Sequence, residues 1–358
     1  MGRGMRTIWG VALTLAMTLA SPAIAAPRTL AVPADKGWMH AQTRLVLRPQ
    51  VADLTRLSLT DSTSTEHDVT AQFESADRAT VATLYLFHSA VPDVSLWFDR
   101  ARATLESRDL FRHAAPASEA PIAFAASGTV AAALRQTYAI VDGPNRSTAL
   151  AVMPLGEWLV VLRMTSRGNS AALDRQLTDV IAALRLPADA TARPVTPIAA
   201  CPSTLAYGKA KMVKPETTDL LLSFIGAIAA EEKKPTDQAA PASYRPLCRE
   251  GEPGDGYAAY RHEDETDGYA VAIHDAGRIA WTRLSVASQF AAQQTKGEKL
   301  VKAPSFAVTL SDVDGRTLTF PSFTALPSPK QVYEDVVKQR PLGSALGKQV
   351  TLDAKAIR

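Results

Sequence analysis

Residues 129–187 read TVAAALRQTYAIVDGPNRSTALAVMPLGEWLVVLRMTSRGNSAALDRQLTDVIAALRLP. The stretch divides into strand (Ala133–Val141), turn (Asp142–Asn145), strand (Ser147–Pro154), tight turn (Gly156–Glu157), strand (Trp158–Thr165) and helix (Ser170–Leu186). Leu134, Gln136, Tyr138 and Ile140 alternate with Arg135, Thr137, Ala139 and Val141, the period of a half-buried antiparallel strand. Asp142-Gly-Pro-Asn145 carries turn chemistry, because Gly143 tolerates positive φ and Pro144 donates no hydrogen bond. Ala149–Met153 is apolar on both faces, as a central strand requires, and Trp158–Leu162 is the most β-prone run of the chain. Asn169 or Ser170 can cap the helix by accepting from its first free N–H groups. Leu173, Leu177, Val180 or Ile181, and Leu184 then recur at helical spacing. The expected product is a three-stranded meander covered by one amphipathic helix.

Before this stretch, Thr43–Arg48, Arg56–Thr60, Val69–Glu74 and Thr80–Phe87 are strand candidates. Asp93 caps a helix in which Val94, Trp97, Phe98, Ala101 and Leu105 share a face. Pro187, Pro194 and Pro197 mark a semi-extended linker at 188–198. Beyond it, Glu216–Glu231 reads as a helix and Lys233–Pro246 as a polar loop. Tyr257–Arg261, Tyr269–His274 and Arg278–Val286 are strands joined by Asp267-Gly268 and Asp275-Ala-Gly277 turns. Phe306–Leu310 and Leu318–Phe320 form a hairpin, and Ser328-Pro329 opens a last helix. The expected fold class is α+β in two domains, 26–187 and 199–358. Each is an antiparallel sheet covered by helices, and the two should come apart at the linker on limited proteolysis.

The N-terminus carries a secretory pattern: Arg3 and Arg6, apolar Ile8 to Ala20, and Ala23-Ile-Ala25 as a small-residue cleavage site. Residues 1–25 are thus read as a signal peptide and the localisation as periplasmic. An uncleaved anchor is the rival reading, although the apolar run is shorter than the ~20 residues a span needs. Removing Arg3 and Arg6 lowers the formal charge from +3 to +1. Charges of both signs are interspersed with no polybasic stripe, so nucleic-acid binding has little support and no nucleic-acid partner is expected, and no later stretch is long and apolar enough to be an integral membrane span. A hydrophobic fraction of 46% is that of a folded protein.

Cys201 and Cys248 are the only cysteines, and in an oxidising compartment the pair reads as one disulfide. Two free thiols or a redox pair are the alternatives, the latter weakened by the lack of a Cys-x-x-Cys motif. The six histidines, His40, His67, His88, His113, His262 and His274, show no metal-ligand spacing. His262-Glu263-Asp264 is the densest polar cluster and reads first as a solvated hairpin tip. Asp312-x-Asp314-Gly315 echoes a calcium loop but has Thr317 and Phe323 where a glycine and an acid are needed, so it reads as a turn. Trp97, Trp158 and Trp281 read as core. Nucleophile elbows, phosphate loops and dinucleotide fingerprints are missing, and neither a catalytic residue nor a cofactor is assigned.

Thr80–Phe87, the Pro92–Leu105 helix and Met153–Leu184 together resemble the PsbP-like α/β sandwich over residues 30–187. That superfamily contains adaptor, assembly and binding proteins more than enzymes, which is what the resemblance implies. The second half, by Cys201-Pro202 and Ala303–Pro329, looks like exported bacterial proteins of unknown function. The first functional expectation is a non-catalytic envelope protein that binds a protein or polymer partner. A periplasmic hydrolase with an interdomain site using the His262 region is the second, and a small-ligand binding module the third.

Overall fold

The computed structural model describes residues 27–111, 113–189, 191–214, 245–289 and 304–353. The signal peptide expected at 1–25, the helix expected at Glu216–Glu231 and positions 233–244 of the expected polar loop lie outside them. In chain order the first half holds β1 (Arg28–Thr29), β2 (Trp38–Met39), β3 (Val46–Leu47), β4 (Gln50–Val51), β5 (Leu54–Asp61), β6 (Asp68–Ser75) and β7 (Thr80–His88). Helix α1 (Val94–Glu106) follows, then β8 (Ala114–Pro116), β9 (Ile122–Phe124), β10 (Ala133–Ile140), β11 (Ser147–Leu155), β12 (Trp158–Ser166) and α2 (Ser170–Leu184). The second half holds β13 (Leu247–Gly254), β14 (Tyr257–His262), β15 (Tyr269–Ile273), β16 (Arg278–Leu284), β17 (Phe306–Ser311) and β18 (Thr317–Phe323). Helix α3 (Pro329–Lys338) and the hairpin β19 (Gly343–Leu346) and β20 (Gln349–Leu352) complete it.

The molecule is mostly antiparallel sheet with few helices, and it has two main sheets. The first runs β1-β5-β6-β7-β12-β11-β10-β8 and the second β13 through β20 in sequence order. The β10–β12 meander forms where the sequence places it, but β12 also pairs along its whole length with β7, Trp158 opposite His88 and Ser166 opposite Thr80. That pairing joins the two three-stranded runs into one sheet.

Alternation along the strands sorts side chains into separate cores. Val160, Leu162 and Met164 of β12 pack with Leu173, Leu177, Val180 and Leu184 of α2. Leu159 and Val161 point the other way, onto Leu96, Trp97 and Ala101 of α1. The far side of α1 meets the second sheet through Ala258, Tyr260, Ala270, Ala272 and Ile279. Four of the five residues that face α1 there, Ala258, Ala270, Ala272 and Ile279, lack a polar atom, and three are alanines, which lets the helix come close. The opposite face of that sheet packs Val271, Ile273, Val308 and Phe320 against Val332 of α3. The layers therefore run α2, first sheet, α1, second sheet, α3.

Helices α1 and α3 start on the residues their sequences nominate, and α2 takes Asn169 of the two candidates Asn169 and Ser170. Asp93 accepts from Leu96 N at 2.9 Å, Asn169 from Ala172 N at 2.9 Å, and Ser328 from Gln331 N at 3.3 Å. Residues 195–196 of the expected linker are tied to their surroundings: Val195 N donates to Ala131 O at 3.1 Å, and Ser95 of α1 donates to Thr196 O at 2.6 Å.

Candidate functional site

Cys201 and Cys248 are disulfide-bonded across 47 positions, with Cα atoms 4.9 Å apart. The bond fastens residues 199–201 alongside β13, where Cys201 N donates to Arg249 O and Arg249 N to Ala199 O, both at 2.9 Å. Cys201→Ser is expected to cost about 2–4 kcal/mol by enlarging the unfolded ensemble. Denaturant unfolding measures this, and a non-reduced tryptic digest should show the two cysteine peptides joined.

One position along β13, Glu250 is buried with Arg261, Nε to carboxylate 2.7 Å. Glu250 also accepts from Leu205 N at 2.7 Å and the Tyr207 hydroxyl at 3.0 Å. Arg261 spends its remaining N–H groups on the carbonyls of His262, Glu263, Glu265 and Ser203. The His262-Glu263-Asp264 run is accordingly the loop that this guanidinium closes from beneath. His262 Nδ1 lies 3.3 Å from Pro246 O, and Asp264 pairs with Arg245. Asp312–Gly315 is a turn, with Gly315 N donating to Asp312 O at 3.1 Å and Asp312 paired to Arg278 at 2.9 Å.

Three of the six histidines meet at one place that their sequence spacing conceals. His40 follows β2, His67 precedes β6 and His88 ends β7. Their rings lie 4.5, 5.5 and 5.3 Å from the Trp158 ring, and Trp38 backs His40 at 5.6 Å. His67 and His88 are 5.7 Å apart, edge to face. His40 Nδ1 accepts from Thr43 N at 3.2 Å, so its Nε2–H donates to Glu66 O at 3.2 Å and the ring is neutral. Burial holds the His40 and His67 imidazoles below the usual histidine range, and His88 adds to the effect at His67. His88 reaches across to the second sheet, its Nδ1 3.0 Å from Val313 O, while its Nε2 is 3.5 Å from the Glu157 carboxylate. Among the described residues no His, Cys, Asp or Glu group is arranged to hold a metal ion.

Asp68 sits opposite Phe87 on the other face of the same strand ends, and is buried. Burial pushes its carboxyl up to about 6; Asp61, Asp312 and Asp275 push the same way, against Arg278. The β15–β16 turn presses on this corner. Gly277 O accepts from Ala90 N at 2.9 Å, and a Cβ at Gly277 would meet Phe87 at 2.8 Å and Val313 at 3.0 Å. With φ at +83°, that position needs glycine on two grounds. Arg163 of β12 pairs with Asp275 beside it.

A cleft of about 310 Å³ opens elsewhere, between the 191–195 segment, the α1 N-terminus and the β11–β12 turn. Pro92, Pro154 and Pro194 stiffen its walls, and Asp93, Asp189 and Arg193 supply charge. Asp189 is anchored there by accepting from Gly156 N at 2.9 Å and Thr191 N at 2.8 Å. Proline content marked this segment in the sequence as a linker, and only its hydrogen bonds to Ala131 and Gly156 make it a wall.

No family model matches the chain. No curated protein matches it either. Among solved structures, the chain is similar to a di-domain ARO/CYC protein, BexL, at 12% identity over 73% of this chain and 89% of that one. The TM-score is 0.16.

Proposed function

We propose that this chain is an exported, non-catalytic binding protein of the cell envelope, with a protein or polymer partner. The cleft along 191–195 is the observation that carries the reading. It is open to solvent, has proline-stiffened apolar walls and offers charges of both signs. Such a surface suits an extended chain laid along it better than a small molecule, which binds where most of its surface is enclosed. Export is supported by Arg3, Arg6 and Ala23-Ile-Ala25 and by the Cys201–Cys248 bond, which persists in oxidising compartments. No helix among the described residues is long and apolar enough to cross a membrane. The PsbP-like reading of 26–187 is supported by the order β5-β6-β7, α1, β10-β11-β12, α2. The α+β reading of both halves is supported by the packing of α2 on β10–β12 and of α3 on β14–β16.

Two measurements test this. The exported protein should begin at Ala26 on N-terminal sequencing; a chain still starting at Met1 overturns the export step. A pull-down from periplasm with the mature chain should capture a partner that Ala192→Trp, which fills the cleft, no longer captures. Equal capture by both forms removes the cleft as the contact, and capture of nothing by the unaltered chain removes the binding function.

A further inference from the structure

His88, the last residue of β7, stands between two acceptors that belong to different parts of the molecule. Its Nδ1 lies 3.0 Å from Val313 O in the β17–β18 turn of the second sheet, and its Nε2 lies 3.5 Å from the Glu157 carboxylate in the β11–β12 turn of the first. A carbonyl and a carboxylate only accept, so each calls for an N–H on the ring. A neutral imidazole has one N–H and the imidazolium has two. We propose that His88 is a pH-dependent clasp between the two sheets: its imidazolium serves Val313 and Glu157 together, and loss of one proton as pH rises sets the two acceptors in competition, which loosens the β17–β18 turn from β7.

The groups around the ring come from several elements. His67, just before β6, holds its ring 5.7 Å away, edge to face, and its carbonyl accepts from His88 N at 2.9 Å. Trp158 of β12 packs against both rings, and His40 packs on Trp158 as well. Asp314 of the β17–β18 turn, paired with Arg316 at 3.5 Å, and Asp61 of β5, paired with Arg28 at 3.1 Å, act on His67. Beside Val313, Asp312 is held by Arg278 at 2.9 Å. Burial first, then the His88 charge, keeps the His67 imidazole below the usual histidine range, and burial does the same to His40. The Glu157 carboxylate lies against His88, which makes it the ring of the three that carries the charge.

The clasp acts on one turn. Among the described residues the turn's other hydrogen bonds stay within the second sheet: Val313 N and Arg316 N donate to the Asp312 and Asp314 side chains at 2.7 and 2.9 Å, and Gly315 N donates to Asp312 O at 3.1 Å. The Val313 side chain is buried, so packing keeps the turn in place and the clasp sets how often it opens. Glu157 is 71% exposed, and water screens its pairing, which confines the effect to about a two- to fivefold change in opening. His40 and His67 act on the whole fold with the opposite sign. Their folded values are lowered, so their contribution is full above 6.5 and is lost as pH falls through those values. The global folding midpoint therefore mixes signs, and the clasp is read at the turn.

The test is amide hydrogen exchange at Val313, Gly315 and Arg316 between about pH 5 and 8, where histidine changes charge, corrected for the intrinsic pH dependence of exchange. In the unaltered full chain, protection should fall by about two- to fivefold as pH rises across that range. Glu157→Gln should abolish the slope, because its amide can donate to Nε2 and leaves the ring's proton on Nδ1 for Val313. Glu157 is exposed, so this variant keeps the fold. Nitrogen NMR of the His88 ring gives a second reading: both ring nitrogens protonated at about pH 5, and Nδ1 protonated throughout in Glu157→Gln. A flat profile in the unaltered chain, an equal slope in Glu157→Gln, or an unprotonated Nδ1 at about pH 5 overturns the clasp. No arm depends on a binding partner, so failure of the clasp is distinguishable from failure of the proposed binding function.

Discussion

Asp99→Ala is expected to destabilise the protein by about 3–5 kcal/mol and to do so in a single transition that reports from both sheets. Asp99 lies on α1, buried at the centre of the layers. Its carboxylate accepts from Arg249 of β13 at 2.8 Å, from Arg102 one turn on at 2.9 Å, and from the Tyr260 hydroxyl of β14 at 3.0 Å. Burial, reinforced by the Asp99 charge, keeps the Tyr260 hydroxyl protonated far above the usual tyrosine range, so it remains a donor. Removing the carboxylate leaves the Arg249 guanidinium, with its side chain only 17% exposed, facing an apolar layer without its counter-charge. Arg100 of the same helix adds a second tie, Nε to His274 O at 2.9 Å. Since α1 is core to both sheets, loosening it exposes both. Far-UV circular dichroism follows all the strands, and tryptophan fluorescence follows the packing around Trp38, Trp97, Trp158 and Trp281. Coincident curves are the expected result, and two separated transitions in the unaltered protein would show that the halves unfold as independent units.

Glu250→Ala should cost a similar amount, about 3–5 kcal/mol, for a different reason. Here the group left behind is Arg261, whose side chain is 1% exposed, so water cannot take the place of the lost carboxylate. Leu205 N and the Tyr207 hydroxyl lose an acceptor in the same step. Replacing both partners with apolar residues of similar size, Glu250→Leu with Arg261→Met, should recover much of the loss, because no buried charge then stands alone. The double variant should still loosen the His262–Glu265 loop, whose carbonyls Arg261 holds, and amide exchange there measures it. Equal stability of the single and double variants would mean that the pair acts through its hydrogen bonds to the loop rather than through charge.

Much of the local structure was legible before any fold was known. The β10, β11 and β12 strands and the helix that closes them lie within one or two residues of the reading from Ala133 to Leu186. What shortens α2 is Arg185, which takes the left-handed conformation at φ 51° and ends the helix two residues early. Strand β13 escaped notice because Glu250-Gly-Glu-Pro-Gly254 carries none of the β-branched or aromatic residues that mark strands, and its register slips there. The C-terminal hairpin β19–β20 escaped as well, being two four-residue strands too short to establish an alternation. Trp158 was legible as core, yet its histidine neighbours were not. They come from three separate elements, and only the β7–β12 pairing sets His88 opposite Trp158.

The sequence by itself determined the β10–β12 meander, where α1, α2 and α3 begin and which face of each is apolar. Those are properties of a few neighbouring residues: a capping oxygen three positions ahead of a free N–H, a period of 2 or 3.6, a glycine that accepts positive φ. Tertiary structure decided that β7 joins β12, that α1 is shared by two sheets, and that Asp68 and three histidines gather at one corner. A strand's alternation is satisfied equally by any partner of suitable length, so it carries no record of which partner it meets. Nor does a lone buried acid such as Asp68 announce itself, because its proton affinity is set by what the fold packs around it.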